Sequence, residues 1–221
     1  MAEYLDSRTE RAIIKYTDKR AIPVHHFRKN ELQRFCGAVP HQGVVAETGD
    51  YKYINKTRLF EKITNTDQAL VLILDQIQDV HNVGAIVRTA EVAGTTAVIV
   101  PEKGGVRINE TVAKTSAGAI FHCDIHQTNN VQALLKELAA RGLYIAAMVA
   151  HQEMTIYQAD LKKPLAIVVG SEGKGVRKNL FPFCSYKLSI QQFGRLDSLN
   201  VSVATALVLF EARRQRLLNE L

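Results

Sequence analysis

From residue 70 onward, short apolar runs alternate with longer stretches whose apolar residues return every three or four positions. The runs at 70–74, 97–100, 144–148 and 165–169 are almost wholly apolar, the pattern of strands buried on both faces. Less continuous runs at 120–125 and 186–190 bring the expected strands to six. Between them, residues 83–93, 108–117, 131–140, 176–180 and 199–218 are expected to be helical. In the stretch 131–140, Val131, Leu134, Leu135, Leu138 and Ala139 share one side, and Lys136, Glu137 and Arg141 face away. Asn130 suits its N-cap and Gly142 its stop. Strands alternating with helices of this length predict an α/β domain, a mostly parallel sheet with helices on both faces.

The first 67 residues follow a different pattern. Residues 4–16 are expected to form a helix with Leu5, Ala12, Ile13 and Tyr16 on one side, and residues 29–35 another helical turn or two. His41-Gln42-Gly43-Val44-Val45-Ala46 reads as a turn into a strand. Residues 48–67 are polar and charged, with Lys52, Lys56, Arg58 and Lys62 spaced along them, and read as a linker ending in a short helix at 59–63. The expected organisation is therefore an N-terminal module at 1–47, a linker at 48–67 and the α/β domain at 68–221.

Two strand exits near the C-terminus carry the candidate chemistry. The first is Gly170-Ser171-Glu172-Gly173-Lys174-Gly175-Val176, whose three glycines let backbone N–H groups approach a ligand closely. The second is Ser198-Leu199-Asn200-Val201-Ser202-Val203-Ala204, at the mouth of the last helix. On their own these fit either a ligand cradle or a pair of ordinary tight turns. A phosphate loop fails on spacing, since Gly-x-x-x-x-Gly-Lys-Ser/Thr is not met, and no Gly-x-Gly-x-x-Gly follows the first strand. Taken with Glu211-Ala212-Arg213-Arg214-Gln215-Arg216, the two blocks resemble motifs two and three of the SpoU (TrmH-like) RNA ribose methyltransferases. A first motif should lie about ninety residues upstream, and Asp79-Val80-His81-Asn82-Val83-Gly84-Ala85-Ile86-Val87-Arg88-Thr89-Ala90 stands there. The resemblance covers residues 70–216 closely and 22–47 more loosely, and it is nearest to the bacterial 23S rRNA guanosine 2′-O-methyltransferases.

That resemblance implies a SPOUT fold whose C-terminal helix is threaded into a trefoil knot, a feature no pattern argument proposes. It also implies S-adenosyl-L-methionine as cofactor without a metal, RNA as substrate and a homodimer whose sites draw on both subunits. By matching motif positions, Asn82, Arg88, Glu172, Ser198 and Asn200 are the catalytic candidates. Gly170, Ile190 and Leu199 match donor-contact positions, and Val149 and Ala150, closing another expected strand, would form a further wall. Lys174, Arg177, Lys178 and Arg195 lie on or beside these loops and are the candidates for RNA phosphate contacts. A ribose hydroxyl is a poor nucleophile, so one group must favour its deprotonated form. Arginine is the wrong type for a literal base, and Arg88 is expected to stabilise the developing alkoxide. Blander readings stay open at each position: Asn82 and Ser198 as helix caps, Arg88 paired with Glu91 or Glu172. The resemblance departs at Gln191 and Gln192, where Pro-Met is usual. The order of elements from residue 4 to 46 resembles the second half of a small α/β RNA-binding domain, whose first strand and helix are expected to be absent. The substrate expected from this branch is a guanosine of 23S rRNA, with a transfer-RNA guanosine second. The rival class is a catalytically silent RNA-binding relative.

Composition adds little that conflicts. Net charge is +6, and residues 1–66 carry +4 of it (12 Lys/Arg less 8 Asp/Glu), fitting a nucleic-acid partner. No apolar run approaches the ~20 residues that span a membrane, and no signal-peptide core is expected. Three scattered cysteines, Cys36, Cys123 and Cys184, point to reduced thiols in a cytoplasm. His122, Cys123 and His126 lack a fourth ligand for a metal. Arg213, Arg214 and Arg216 on the last helix could serve solvation, a dimer contact or RNA.

Overall fold

The structure, a computed structural model, describes residues 1–2, 5–37 and 41–218 and divides into two units, Met1–Asp50 and Tyr51–Leu221. In the smaller unit, helix α1 (Ser7–Asp18) begins where Asp6 accepts from the backbone N–H of Arg8 and Thr9, a carboxylate N-cap that also suits the helix dipole. The expected start at Tyr4 lies outside the described residues. Helix α2 (Lys29–Cys36) buries Leu32, and the Phe27 and Phe35 rings meet at 5.2 Å. The turn at Gln42 and Gly43 forms, with φ of 49° and 88°, but no strand follows it. A strand needs a neighbour to satisfy its backbone, and the one bridge of this unit among the described residues joins Ala2 to Phe27.

The larger unit carries six parallel strands: β1 (Leu70–Asp75), β2 (Ala97–Pro101), β3 (Ile125–Thr128), β4 (Tyr144–Met148), β5 (Leu165–Gly170) and β6 (Tyr186–Leu188), in the order β3-β2-β1-β5-β4-β6. Its helices are α3 (Lys56–Thr64), α4 (Val80–Val92), α5 (Glu110–Thr115), α6 (Val131–Ala140) and α7 (Val201–Leu217). Alternate strand residues feed two cores. Leu70, Leu72, Leu74, Val98 and Ile167 pack with Val83, Ile86 and Val87 of α4 and Val208 and Leu209 of α7. Val71, Ile73, Ile99, Ile145 and Val168 pack with Leu59 and Ile63 of α3 and Leu134, Leu135 and Leu138 of α6. Helices on both faces explain why the strands read as unbroken apolar runs. β1 and β5 are fully in register, from Leu70 opposite Leu165 to Asp75 opposite Gly170.

Three expectations shift. The third strand starts at Ile125, not residue 120, because Ala117 and Gly118 turn the chain with positive φ and Ala119–Phe121 forms a 3-10 turn that buries Ala119 and Ile120. Apolar residues in a buried turn mimic a strand. Residues 176–180 form no α-helix: Arg177 is extended, and a 3-10 segment runs from Lys178 to Phe183 with Pro182 inside it, a residue that opposes continuation as α-helix. The segment expected as a linker is ordered from Tyr51. Its Tyr51 hydroxyl donates to Ile120 O at 3.0 Å, Ile54 N–H donates to Ile125 O at 2.9 Å, and α3 buries Leu59 and Ile63. Tyrosines hide an apolar body behind a polar tip, which made this stretch look solvent-facing.

Candidate active site

The sheet reverses direction of growth between β1 and β5, and ligands in open α/β sheets gather beyond strand C-termini at such a point. Here Val149 and Ala150 follow β4, Gly170 ends β5, Ile190 follows β6 and Leu199 precedes α7. All five line one cleft, together with Val169, Ser189 and Val201. Its walls are largely apolar with backbone groups at the rim, the character of a nucleoside site. Gly170 is required there. A Cβ on it would lie 2.0 Å from the carbonyl carbon of Gly175 and 2.2 Å from Val176 N. A larger cleft of about 460 Å³ opens at the opposite ends of β2 and β3, lined by Arg58, Lys62, Glu91, Thr96, His122 and Asp124. It lacks comparable apolar walls and is the poorer nucleoside site.

Glu172 borders the apolar cleft and an adjoining one that contains Gln76, Asp79, Asn82 and Lys174. Its Oε1 accepts from Asn200 Nδ2 at 2.5 Å, Asn82 Nδ2 at 3.2 Å and Val201 N–H at 3.4 Å. Asn200 Nδ2 also donates to Asn82 Oδ1 at 2.9 Å. Three residues far apart in sequence thus form one cluster, and the N-terminus of α7 favours the carboxylate held against it. Glu172 Oε2 makes no hydrogen bond among the described residues and remains an acceptor for a ligand hydroxyl.

The caps fall elsewhere than the blander readings put them. Asp79 caps α4, accepting from His81 N–H at 2.7 Å, and Asn82, whose Nδ2 also donates to Asp79 Oδ2 at 3.4 Å, joins the cluster. Asn200, not Ser198, caps α7, accepting from Ser202 N–H at 2.9 Å and Val203 N–H at 3.4 Å. Its carbonyl oxygen starts the helix while its amide reaches Glu172. Ser198 lines the cleft.

Arg88 is exposed on α4 and pairs with neither Glu91 nor Glu172. Six residues past Asn82, it stands about 120° around the helix and about 9 Å along it, so within one chain it is outside the cluster. Of the loop cations, Lys174, Lys178 and Arg195 are exposed. Arg177 is engaged: its backbone N–H, Nε and Nη2 reach the Asp75 carboxylate at 2.9, 2.8 and 2.6 Å. Asp75 was not among the sequence candidates. A carboxylate closing an otherwise apolar strand is the signal that points to it, since a buried charge needs a partner.

Among the described residues no group of His, Cys, Asp or Glu is arranged to hold a metal ion. His126 Nδ1 lies 2.8 Å from Ile54 O. Burial pushes the Cys123 thiol up to about 12 and Cys184 up to about 11, which keeps both protonated at neutral pH. The last-helix arginines serve the fold. Arg213 Nε donates to Ala93 O at 2.5 Å at the end of α4, Arg214 pairs with Glu211 at 2.7 Å, and Arg216 is buried on three carbonyls.

Residues 69–210 match the model described as SpoU rRNA Methylase family, and residues 4–54 match one described as RNA 2′-O ribose methyltransferase substrate binding. A 23S rRNA (guanosine-2′-O-)-methyltransferase of Shewanella oneidensis is 40% identical over 185 residues, 84% of this chain and 75% of that protein. Among solved structures, an RNA 2′-O ribose methyltransferase aligns with a TM-score of 0.63 and 32% identity, over 69% of this chain and 58% of that one. A SpoU methyltransferase of Streptomyces viridochromogenes in complex with AdoMet aligns with a TM-score of 0.75 over 98% of this chain and 81% of that one. At 19% identity that likeness is one of fold.

Proposed function

The chain belongs to the SpoU rRNA methylase family, and on that premise we propose that it methylates the ribose 2′-hydroxyl of a guanosine in 23S rRNA, with S-adenosylmethionine as donor. The observation that carries this reading is the Asn82–Glu172–Asn200 cluster at the rim of the cleft that gathers all five expected donor-contact residues. The donor supplies an electrophilic methyl group on a sulfonium, a good leaving group. The chain's own work is then to align and to stabilise. Val149, Ile190 and Leu199 wall the nucleoside, and Glu172 Oε2 accepts the hydrogen bond of the 2′-hydroxyl and then its proton as the oxygen takes the methyl group. Asn82 and Asn200 hold that carboxylate in place, and the Arg88 guanidinium meets the alkoxide as it forms. Exposed Lys174, Lys178 and Arg195 supply phosphate contacts. The choice of 23S rRNA rests on the name borne by the 40% identical relative, and transfer RNA is the second reading. Incubating the protein with tritiated donor and either unmodified 23S rRNA or transfer RNA tests it: label enters the ribosomal RNA. Label in transfer RNA alone would reverse the choice.

The site is completed by a second copy. Val203, Leu207 and Phe210 on α7 are 47%, 37% and 48% exposed at helical spacing, and Val92 on α4 is 66% exposed. An apolar stripe of this kind supports a homodimer, which also gives Arg88 a cluster to reach. Light scattering at micromolar concentration should give a dimer. Mixing the strongly impaired Arg88→Ala and Glu172→Ala proteins should restore about a quarter of wild-type activity if subunits reassort statistically and each site uses both chains. No recovery in reassorted dimers would place Arg88 in its own subunit's site. A threaded C-terminus is part of the same proposal, supported by Gln215 of α7 bonding to Ala159 and Leu161 ahead of β5.

The N-terminal unit is assigned to RNA capture, on the match of residues 4–54 and the basic balance of the segment. Deleting residues 1–47 should weaken RNA binding and flatten its salt dependence while donor affinity stays unchanged. Equal RNA affinity in the truncated protein would put recognition on the α/β domain.

A further inference from the structure

The loop that presents Glu172 is anchored at its foot by a charge pair that the sequence motifs do not explain. Asp75 ends β1 and is fully buried. It stands in register with Gly170, the last residue of β5. Both its oxygens are engaged by Arg177: Oδ2 accepts the backbone N–H at 2.9 Å, and Oδ1 accepts from Nε at 2.8 Å with Nη2 2.6 Å away as an ion pair. Between Gly170 and Arg177 the chain folds back on itself. Ser171 and Gly175 form an antiparallel bridge, with Gly175 N–H donating to Ser171 O at 2.7 Å, and Gly175 takes φ +64°. Val176 is buried, and Glu172, Gly173 and Lys174 form the exposed tip. The loop is thus closed at its base and tethered to the neighbouring strand, and one tip residue reaches the Asn82–Asn200 cluster.

We propose that Asp75 and Arg177 are a positioning pair for Glu172, acting on the reaction through the loop and not through contact with RNA. This rests on the methyltransferase reading of the site. Three features favour it over an RNA contact for Arg177. Its Nε and Nη2 are already engaged by a carboxylate with no solvent access. The pair spans the two strand ends that bracket the loop. A buried carboxylate deprived of that fork keeps only the backbone N–H as partner, so the loop foot is the first place to rearrange. Displacing a reacting group by about 1 Å costs up to about a hundredfold in rate.

The test is a double-mutant cycle with purified full-length protein under single-turnover conditions. Arg177→Ala should lower the rate of methyl transfer at saturation by about tenfold or more and leave KM for RNA and its salt dependence unchanged. In a Glu172→Ala background the same change should cost nothing further, because its route is already cut. Arg177→Lys keeps a charge for Asp75 but not the fork, and should lose rate while staying folded. A raised KM with unchanged rate would make Arg177 an RNA contact. Additive losses, or lost thermal stability with unchanged rate per folded molecule, would make the pair structural only. Amide hydrogen exchange of residues 171–175 supplies a readout independent of activity. Faster exchange in Arg177→Lys than in wild type supports the tether even if the wild type transfers no methyl group to any RNA tested, and equal protection overturns it.

Discussion

Arg88→Ala lowers methyl transfer at least about a hundredfold, the scale of removing one charge-stabilising donor, and leaves S-adenosylmethionine affinity unchanged. The expectation separates two roles for an exposed arginine. Arg88 lies outside the cleft that gathers Gly170, Ile190 and Leu199 and makes no ion pair with Glu91 or Glu172. Alanine is the best helix former, so α4 tolerates the change. What is lost is a guanidinium that can meet the forming alkoxide and an adjacent phosphate together. Lysine, a point charge without the fork, should recover only part of the rate. Calorimetry showing donor affinity falling in step with turnover would make Arg88 a structural residue.

The largest stability effect is expected at Arg216. The residue is 2% exposed, and the charge nearest its guanidinium is Arg213, not a carboxylate. Nη1 donates to Gln68 O at 2.6 Å, Nη2 to Lys163 O at 2.9 Å and Nε to Leu161 O at 3.2 Å. These carbonyls belong to the segments entering β1 and β5, so one side chain ties the end of α7 to the two central strands. Burial lowers its pKa to about 10, which still leaves it charged at neutral pH. Arg216→Ala orphans three carbonyls and opens a void the size of the side chain. A loss of about 3 kcal/mol or more follows, since unsatisfied buried groups cost about 1–3 kcal/mol each and the loops relax in part. For a chain of this size that lowers Tm by roughly 6–12 °C. A melting point unchanged in scanning calorimetry would show that the three hydrogen bonds contribute nothing net.

How much of this was legible in the sequence depends on the range of the interaction. Residues 131–140 are a helix as read, because capping by Asn130 and a 3.6-residue apolar period are local facts. The resemblance carried by the blocks around Gly170 and Leu199 named residues that the fold gathers at one cleft, with Val149 and Ala150 from a third strand end. Glu172, Asn82 and Asn200 could be named together, but not that one carboxylate oxygen takes both amides. The cations show the limit most clearly. Arg177 looks like a phosphate contact until Asp75, 102 positions away, is seen beneath it. Arg213 and Arg216 look like solvated or interfacial charges until the carbonyls of Ala93 and Gln68 are seen to meet them. A long-range pairing leaves a mark only on the apolar side, as an unexplained charge in a buried run. The third strand misled for the opposite reason, since Ala119 and Ile120 are buried in a turn and burial alone does not distinguish turn from strand.

The central claim is that the cluster at Glu172 directs methyl transfer to a ribose oxygen. It is tested most directly by the position of the label after reaction with tritiated donor and unmodified 23S rRNA. Alkaline hydrolysis needs a free 2′-hydroxyl, so a methylated ribose protects the linkage that follows it. Label is expected only in an alkali-resistant dinucleotide beginning with guanosine, formed at least about a hundredfold more slowly in Glu172→Ala. Label released in mononucleotides carrying a methylated base would contradict it.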